Sequence, residues 1–167
     1  MEDQFNFDNE LAGKTALVTG GRKGAGKAIA ERLFQAGAKV IITARNKPAE
    51  VNQNFHFISA DLSKADGTVK VITEVLKVHG KLDILINNLG GSETPGGGYA
   101  VLTDEDWETT MQTNLFAPVR LDKGFLPQMV KRKSGVIIHI SSIQARLTLV
   151  RQYLTLCSCK SWFAELQ

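Results

Sequence analysis

Apolar residues along this chain recur in two rhythms. Residues 14–19 (KTALVT), 39–43 (KVIIT), 55–59 (FHFIS), 82–86 (LDILI) and 136–140 (VIIHI) are short runs rich in strand formers. Where consecutive residues are apolar, both faces of the strand need cover, as in a parallel sheet between helices. Between the runs the spacing changes to that of a helix. Ala25, Ala28, Ile29, Leu33 and Ala36 mark one face of a helix that begins near Gly24 and is stopped by Gly37. Val71, Val75 and Val78 form a stripe on a second helix over residues 64–79. Thr103 is placed to cap a third, with Asp104, Glu105 and Asp106 at the positive end of its dipole. Its pattern runs to about Lys133, with bends expected at Pro118 and near Pro127. Residues 92–98 (SETPGGG) read as a loop.

Alternation of strand and helix predicts an α/β fold, a parallel sheet with helices on both faces. A chain of 167 residues suits one domain and can bury a core without metal or disulfide staples. We divide it into a polar arm (1–12), a folded domain (13–149) and a tail of different character (150–167). The charge is 20 basic against 17 acidic residues, a surplus of +3 that is too small and scattered to argue for nucleic acid. The cluster Lys131-Arg132-Lys133 reads as the solvated end of a helix. No apolar run approaches the roughly 18 residues needed to cross a membrane, and the opening MEDQFNFDNE lacks the plan of a signal peptide. Cys157 and Cys159 are too close for an ordinary disulfide framework, and a lone C-x-C lacks the other ligands of a metal site. The expectation is a cytoplasmic protein with no metal and no membrane or nucleic-acid partner.

Chemistry enters with Thr19-Gly20-Gly21-Arg22-Lys23-Gly24-Ala25-Gly26, a T-G-x-x-x-G-x-G loop between the first strand and first helix. Glycines there permit a tight turn and let a pyrophosphate approach the helix N-terminus. A plain turn is the competing reading. The Gly-Lys-Ser/Thr ending of a nucleoside-triphosphate loop is absent. At the end of the second strand, Thr43-Ala44-Arg45-Asn46 lacks the acid that grips a ribose 2′-hydroxyl in NAD-selective folds. Arg45, with Arg22 and Lys23, offers cations where a 2′-phosphate would lie, which favours NADP(H) over solvated surface charge.

In this order the residues resemble the short-chain dehydrogenase/reductase family over residues 13–142. Besides the glycine loop, Asp61-Leu62 follows the third strand, Asn87-Asn88-Leu89-Gly90 follows the fourth, and Asn114 sits in Thr113-Asn114-Leu115. Pro127-Gln128-Met129 and Ser141-Ser142 complete the series. The resemblance implies a Rossmann-like doubly wound sheet, incomplete at the C-terminus. It implies hydride transfer between NADP(H) and a small carbonyl or secondary alcohol. Gly20, Arg22, Lys23, Gly24, Gly26, Arg45, Asp61, Leu62, Asn88 and Gly90 would then hold the cofactor. Ser142 would bind the substrate carbonyl, Asn114 would support a proton relay, and Lys160 would hold the nicotinamide ribose. Family-like homo-oligomers are implied as well, although the interface helix is altered.

The family's Tyr-x-x-x-Lys pair is missing. Lys160 is preceded four residues earlier by Leu156, and Tyr153 is followed four residues later by Cys157. A codon set encoding VRQYLTLCSCKSW, read one base later, spells YDSTLRYAAAKA, with Tyr where Leu156 stands and Lys retained at Lys160. We therefore expect a shift of the reading frame near Leu149 to have shortened the product. The alternative reading is an inactive NADP-binding module that lacks the tyrosine acid/base.

Overall fold

The computed structural model describes residues 9–46, 52–91 and 99–142. Its strands are β1 (Thr15–Thr19), β2 (Lys39–Ala44), β3 (His56–Ser59), β4 (Ile84–Asn87) and β5 (Val136–His139). Its helices are α1 (Gly24–Gln35), α2 (Ala65–His79), α3 (Asp104–Met111) and α4 (Ala117–Arg132), with a π-helical turn at Gln112–Phe116 between the last two. All five strands pair in parallel in the order β3-β2-β1-β4-β5. The expected Rossmann-like sheet is present. Its chain reverses direction across the sheet between β1 and β4, which is where doubly wound folds bind ligands.

Alternate strand residues feed two separate cores. Leu17, Ile41, Ile58 and Leu85 face α2 and α4, where they pack with Val71, Val75, Leu121 and Phe125. Ala16, Val18, Val40, Ile42, Ile84 and Ile86 face the other way, toward Ala30 of α1 with Ile29 and Leu33. Every residue of β1 and β4 is buried, which explains their unbroken apolar runs.

Helix faces depart in part from the sequence pattern. On α1 the buried positions are Gly26 and Ala30, while Ala25 and Ala28 are exposed. Helix and sheet meet through the smallest residues, so the contact lies beside the stripe that periodicity marks. On α2, Val71 and Val75 are buried with Thr68, but Val78 is 58% exposed. That stripe leaves the sheet in the last turn, beside the helix-ending Gly80 at φ 73°. The long helix expected from Thr103 to Lys133 is interrupted. Thr103 does cap α3 through a reciprocal pair with Asp106. Pro118 lacks an N–H and cannot donate to the Asn114 carbonyl, so the ladder widens there, as in Ala117 N–H to the Gln112 carbonyl. Pro118 itself lies in the first turn of α4, where a missing donor is tolerated. The tail beyond residue 142 lies outside the described residues.

The amino ends of the strands are tied together by Asp83, whose side chain is 4% exposed. The Thr15 N–H donates to its Oδ2 at 2.9 Å, Arg132 Nη1 to its Oδ1 at 2.9 Å, and Lys81 Nζ reaches Oδ1 at 3.2 Å. Arg132 and Gln128 of α4 also donate to the Leu82 carbonyl at 2.7 and 3.0 Å. Burial pushes the Asp83 carboxyl up, but the Thr15 N–H, Arg132 and Lys81 together hold its pKa below the ordinary value. Its contribution is therefore complete above about pH 3.8 and is lost as pH falls through the lowered folded value. Replacing Asp83→Asn should cost about 2–3 kcal/mol near pH 7. In chemical denaturation, the gap to wild type should narrow below the ordinary carboxylate pKa.

At the C-terminal end of α2, His79 Nε2 lies 2.9 Å from His56 Nδ1, and His56 Nε2 lies 3.0 Å from Glu74 Oε1. Burial lowers the His79 pKa, and the neighbouring His56 and Lys39 lower it further. The unfolded chain then binds a proton near pH 6.5 that the folded chain refuses, so stability falls as pH drops below that value. Thermal melts taken from neutral pH downward should show this slope, and His79→Gln should flatten it.

Candidate active site

The carboxyl ends of the central strands open into a cleft of about 340 Å³. Its floor depends on Thr19, the last residue of β1. The Thr19 hydroxyl donates to the Ile86 carbonyl at 3.3 Å and accepts from the N–H groups of Asn88 and Leu89 at 3.0 and 2.9 Å. Asn88 Nδ2 returns a bond to the Thr19 carbonyl at 2.9 Å. These four bonds hold the exit of β4 against the start of the glycine loop. Gly20 turns that loop at φ 65°. A Cβ on Gly26 would run into Asn88 Nδ2 and the Gly20 carbonyl, so only glycine allows α1 this approach.

Seven of the ten sequence-predicted cofactor residues line the cleft: Gly20, Arg22, Lys23, Arg45, Asp61, Leu62 and Gly90. The other three lie elsewhere. Gly26 is packed beneath the loop, Asn88 is turned to Thr19, and Gly24 is exposed at the first residue of α1. The lining cations are Arg22, Lys23 and Arg45, all exposed, and the lining acid is Asp61. Asp61 Oδ1 accepts from the Ser63 N–H at 3.2 Å and from its hydroxyl at 2.7 Å, fixing the turn after β3. The exit of β2 is held beside it by the Ser59 hydroxyl, which donates to the Arg45 carbonyl at 2.8 Å.

Asn114 sits within the π-helical turn. Its Oδ1 accepts from the Gly91 N–H at 2.9 Å, and its Nδ2 donates to the Gly91 carbonyl at 2.8 Å and to the Thr110 carbonyl at 3.0 Å. The side chain is thus a clasp on the strand exit, the backbone-bonding role that competes with a relay. Arg120 braces the same turn, donating to Gln112 Oε1 at 2.7 Å and lying 5.6 Å from the Phe116 ring centroid. Ser142 lies three residues past β5 and is half-buried. Leu156 and Lys160 fall outside the described residues, so the structure does not place them against Ser142 or Asn114.

A family model described as short chain dehydrogenase matches residues 14–155. The chain belongs to the short-chain dehydrogenase family. It is 38% identical over 145 residues to the uncharacterized oxidoreductase YvrD of Bacillus subtilis (strain 168), covering 81% of this chain and 54% of that protein. It superposes with a TM-score of 0.85 and 31% identity on a metagenomic short-chain oxidoreductase in complex with NADP, covering 92% of this chain and 72% of that one. An NADH-dependent reductase, A1-R′, responsible for alginate metabolism, shares the fold at a TM-score of 0.84 and 23% identity, over 93% of this chain and 69% of its own. The chain spans about half the length of the curated relatives it matches. Among the described residues no helix is long and apolar enough to cross a membrane, and no cluster could hold a metal ion.

In this short-chain dehydrogenase, sequence reasoning missed the wall opposite the glycine loop. Thr109, Thr110 and Thr113 complete the cleft from α3 and the π-helical turn. The only signal was Thr110 and Thr113 at one-turn spacing, which polar helix surfaces show routinely. Thr43 was quoted as a strand residue and as the start of the Thr43-Ala44-Arg45-Asn46 strand end, with no role of its own; it borders the cleft, and its buried Oγ1 has no hydrogen-bond partner. Replacing Gly26→Ala should cost about 1–3 kcal/mol, because Asn88 or the Gly20 backbone must move aside. The same change should weaken nucleotide binding in a fluorescence titration.

Proposed function

We propose that this short-chain dehydrogenase chain binds NADP(H) across the carboxyl edge of its sheet and derives from a reductase of small carbonyl compounds. The observation that carries the cofactor choice is the grouping of Arg22, Lys23 and Arg45 on one cleft, with no carboxylate at the end of β2. Guanidinium and ammonium groups there bind a 2′-phosphate, whereas NAD-selective folds place an acid. The fit is supported by the cradle at Gly20 and Gly26, whose tight backbone approach suits a pyrophosphate at the head of α1. Asp61 and Leu62 border the adenine side, and Asn88 and Gly90 set the floor.

Bound NADPH would supply the hydride. This chain's own residues then divide the remaining work. The Ser142 hydroxyl would donate to the substrate carbonyl, Asn114 holds the Gly91 backbone, and Lys160, outside the described residues, is the cation we assign to the nicotinamide ribose. The position of the tyrosine acid/base is occupied by Leu156, so proton delivery is the missing step. That substitution favours a second reading, an NADP-binding module without turnover. The small-molecule carbonyl or alcohol and any homo-oligomer belong to the same proposal.

Fluorescence titration with NADPH and NADH tests it. NADPH should bind more tightly by about tenfold or more, the worth of one or two charge-assisted hydrogen bonds. Arg45→Ala should erase most of that preference while leaving NADH binding nearly unchanged. Equal binding of both nucleotides overturns the NADP assignment. Leu156→Tyr should convert a chain without carbonyl reductase activity into one with measurable turnover; binding without turnover in that variant supports the module reading.

A further inference from the structure

Just below the cleft, three polar side chains from three elements meet between β4, β5 and α4. Asn87 ends β4 and is 4% exposed. Asp122 of α4 and His139 of β5 have side chains 17% and 25% exposed. Asn87 Nδ2 lies 2.9 Å from Asp122 Oδ1 and 3.3 Å from His139 Nδ1, and His139 Nε2 lies 3.3 Å from Asp122 Oδ2. None of these residues belongs to the cofactor set above.

Donor and acceptor chemistry assigns the protons shared within the triangle. A carboxylate only accepts, so the group that Asn87 turns toward Asp122 must be its NH2. That orientation leaves Asn87 Oδ1 buried without a partner, the cost of satisfying the carboxylate. The second amide proton then points at His139 Nδ1, which must be an acceptor. His139 therefore carries its proton on Nε2, where it donates to Asp122. Asp122 sets the Asn87 amide, and the amide sets the imidazole tautomer.

We infer that Asn87, Asp122 and His139 form a positioning clamp that locks the exits of β4 and β5, and through them the cofactor floor and Ser142. The clamp sits one residue before Asn88, which is bonded to the glycine loop, and three before Ser142. The Ile140 N–H also donates to the Asn87 carbonyl at 2.9 Å, so the two strand ends move as one unit. The positioning role rests on the proposed cofactor reading; the proton arrangement does not.

Two measurements on the full chain test it. Imidazole 15N spectra at neutral pH should show His139 as the Nε2–H tautomer, and Asp122→Asn should mix the two tautomers. In NADPH titrations, His139→Phe should weaken binding about tenfold, while His139→Asn, whose amide oxygen stands near the place of Nδ1, should restore it to within about twofold. Equal weakening by both substitutions, with cooperative melting retained, overturns the positioning role. A wild-type chain that binds NADPH but shows the Nδ1–H tautomer overturns the clamp alone. One that shows Nε2–H and binds no NADPH overturns the cofactor reading and the positioning role together.

Discussion

The hydroxyl of Thr19 is the pin on which this molecule's working edge turns. A parallel sheet gathers all its carboxyl ends on one side, but that edge is only a row of diverging loops until something joins them. Thr19 does so by accepting two N–H groups from β4's exit while donating to a third backbone group of the same segment. A hydroxyl is the smallest group that can both donate and accept, and it is buried here with no water needed. Valine would fill the same space, leave the Leu89 N–H without its acceptor inside the protein, and reduce the Asn88 N–H to its bond with the Ile86 carbonyl. Glycine loop, strand exit and cleft floor all inherit their relative position from this one side chain.

The opposite edge follows a different physical logic. There a single carboxylate, Asp83, collects a backbone donor and two cations and is shielded from water. Charge is affordable at that end because nothing has to enter or leave. Around Thr19 at the cleft edge, neutral hydrogen bonds and glycines do the joining, and the cations stand exposed on the rim. Fixed charge thus anchors the base in a shielded setting, whereas the cations of the cleft stand on the side that faces solvent.

Much of this was legible in the residues. Five apolar runs became five strands because burial on both faces admits little else, and the glycine loop announced its place between strand and helix. The faces of α1 and α2 were read less well, since periodicity reports apolarity and not distance. Ala25 and Ala28 share a stripe with Ile29, yet Gly26 is what touches the sheet's loop. The π-helical turn was invisible because Pro118 announces a break without saying how the ladder will mend. Asn114 was found by its neighbours in sequence, while its clasp on Gly91 could come only from coordinates. His139 looked like one more strand residue, because its partners Asn87 and Asp122 lie 52 and 17 positions away in a chain of 167. Leu156 and Lys160 stay beyond the described residues, so the tail is known from its residues alone.

Where α2 crosses α4, the side chain of Ile72 fills the space a Cβ on Gly124 would need. The two positions therefore carry unequal freedom as the sequence drifts. Residue 72 can shrink to valine and leave a small void, whereas growth at residue 124 needs the Ile72 side chain to turn aside or shorten. Both thus share one volume, and a change at either alters what the other can tolerate.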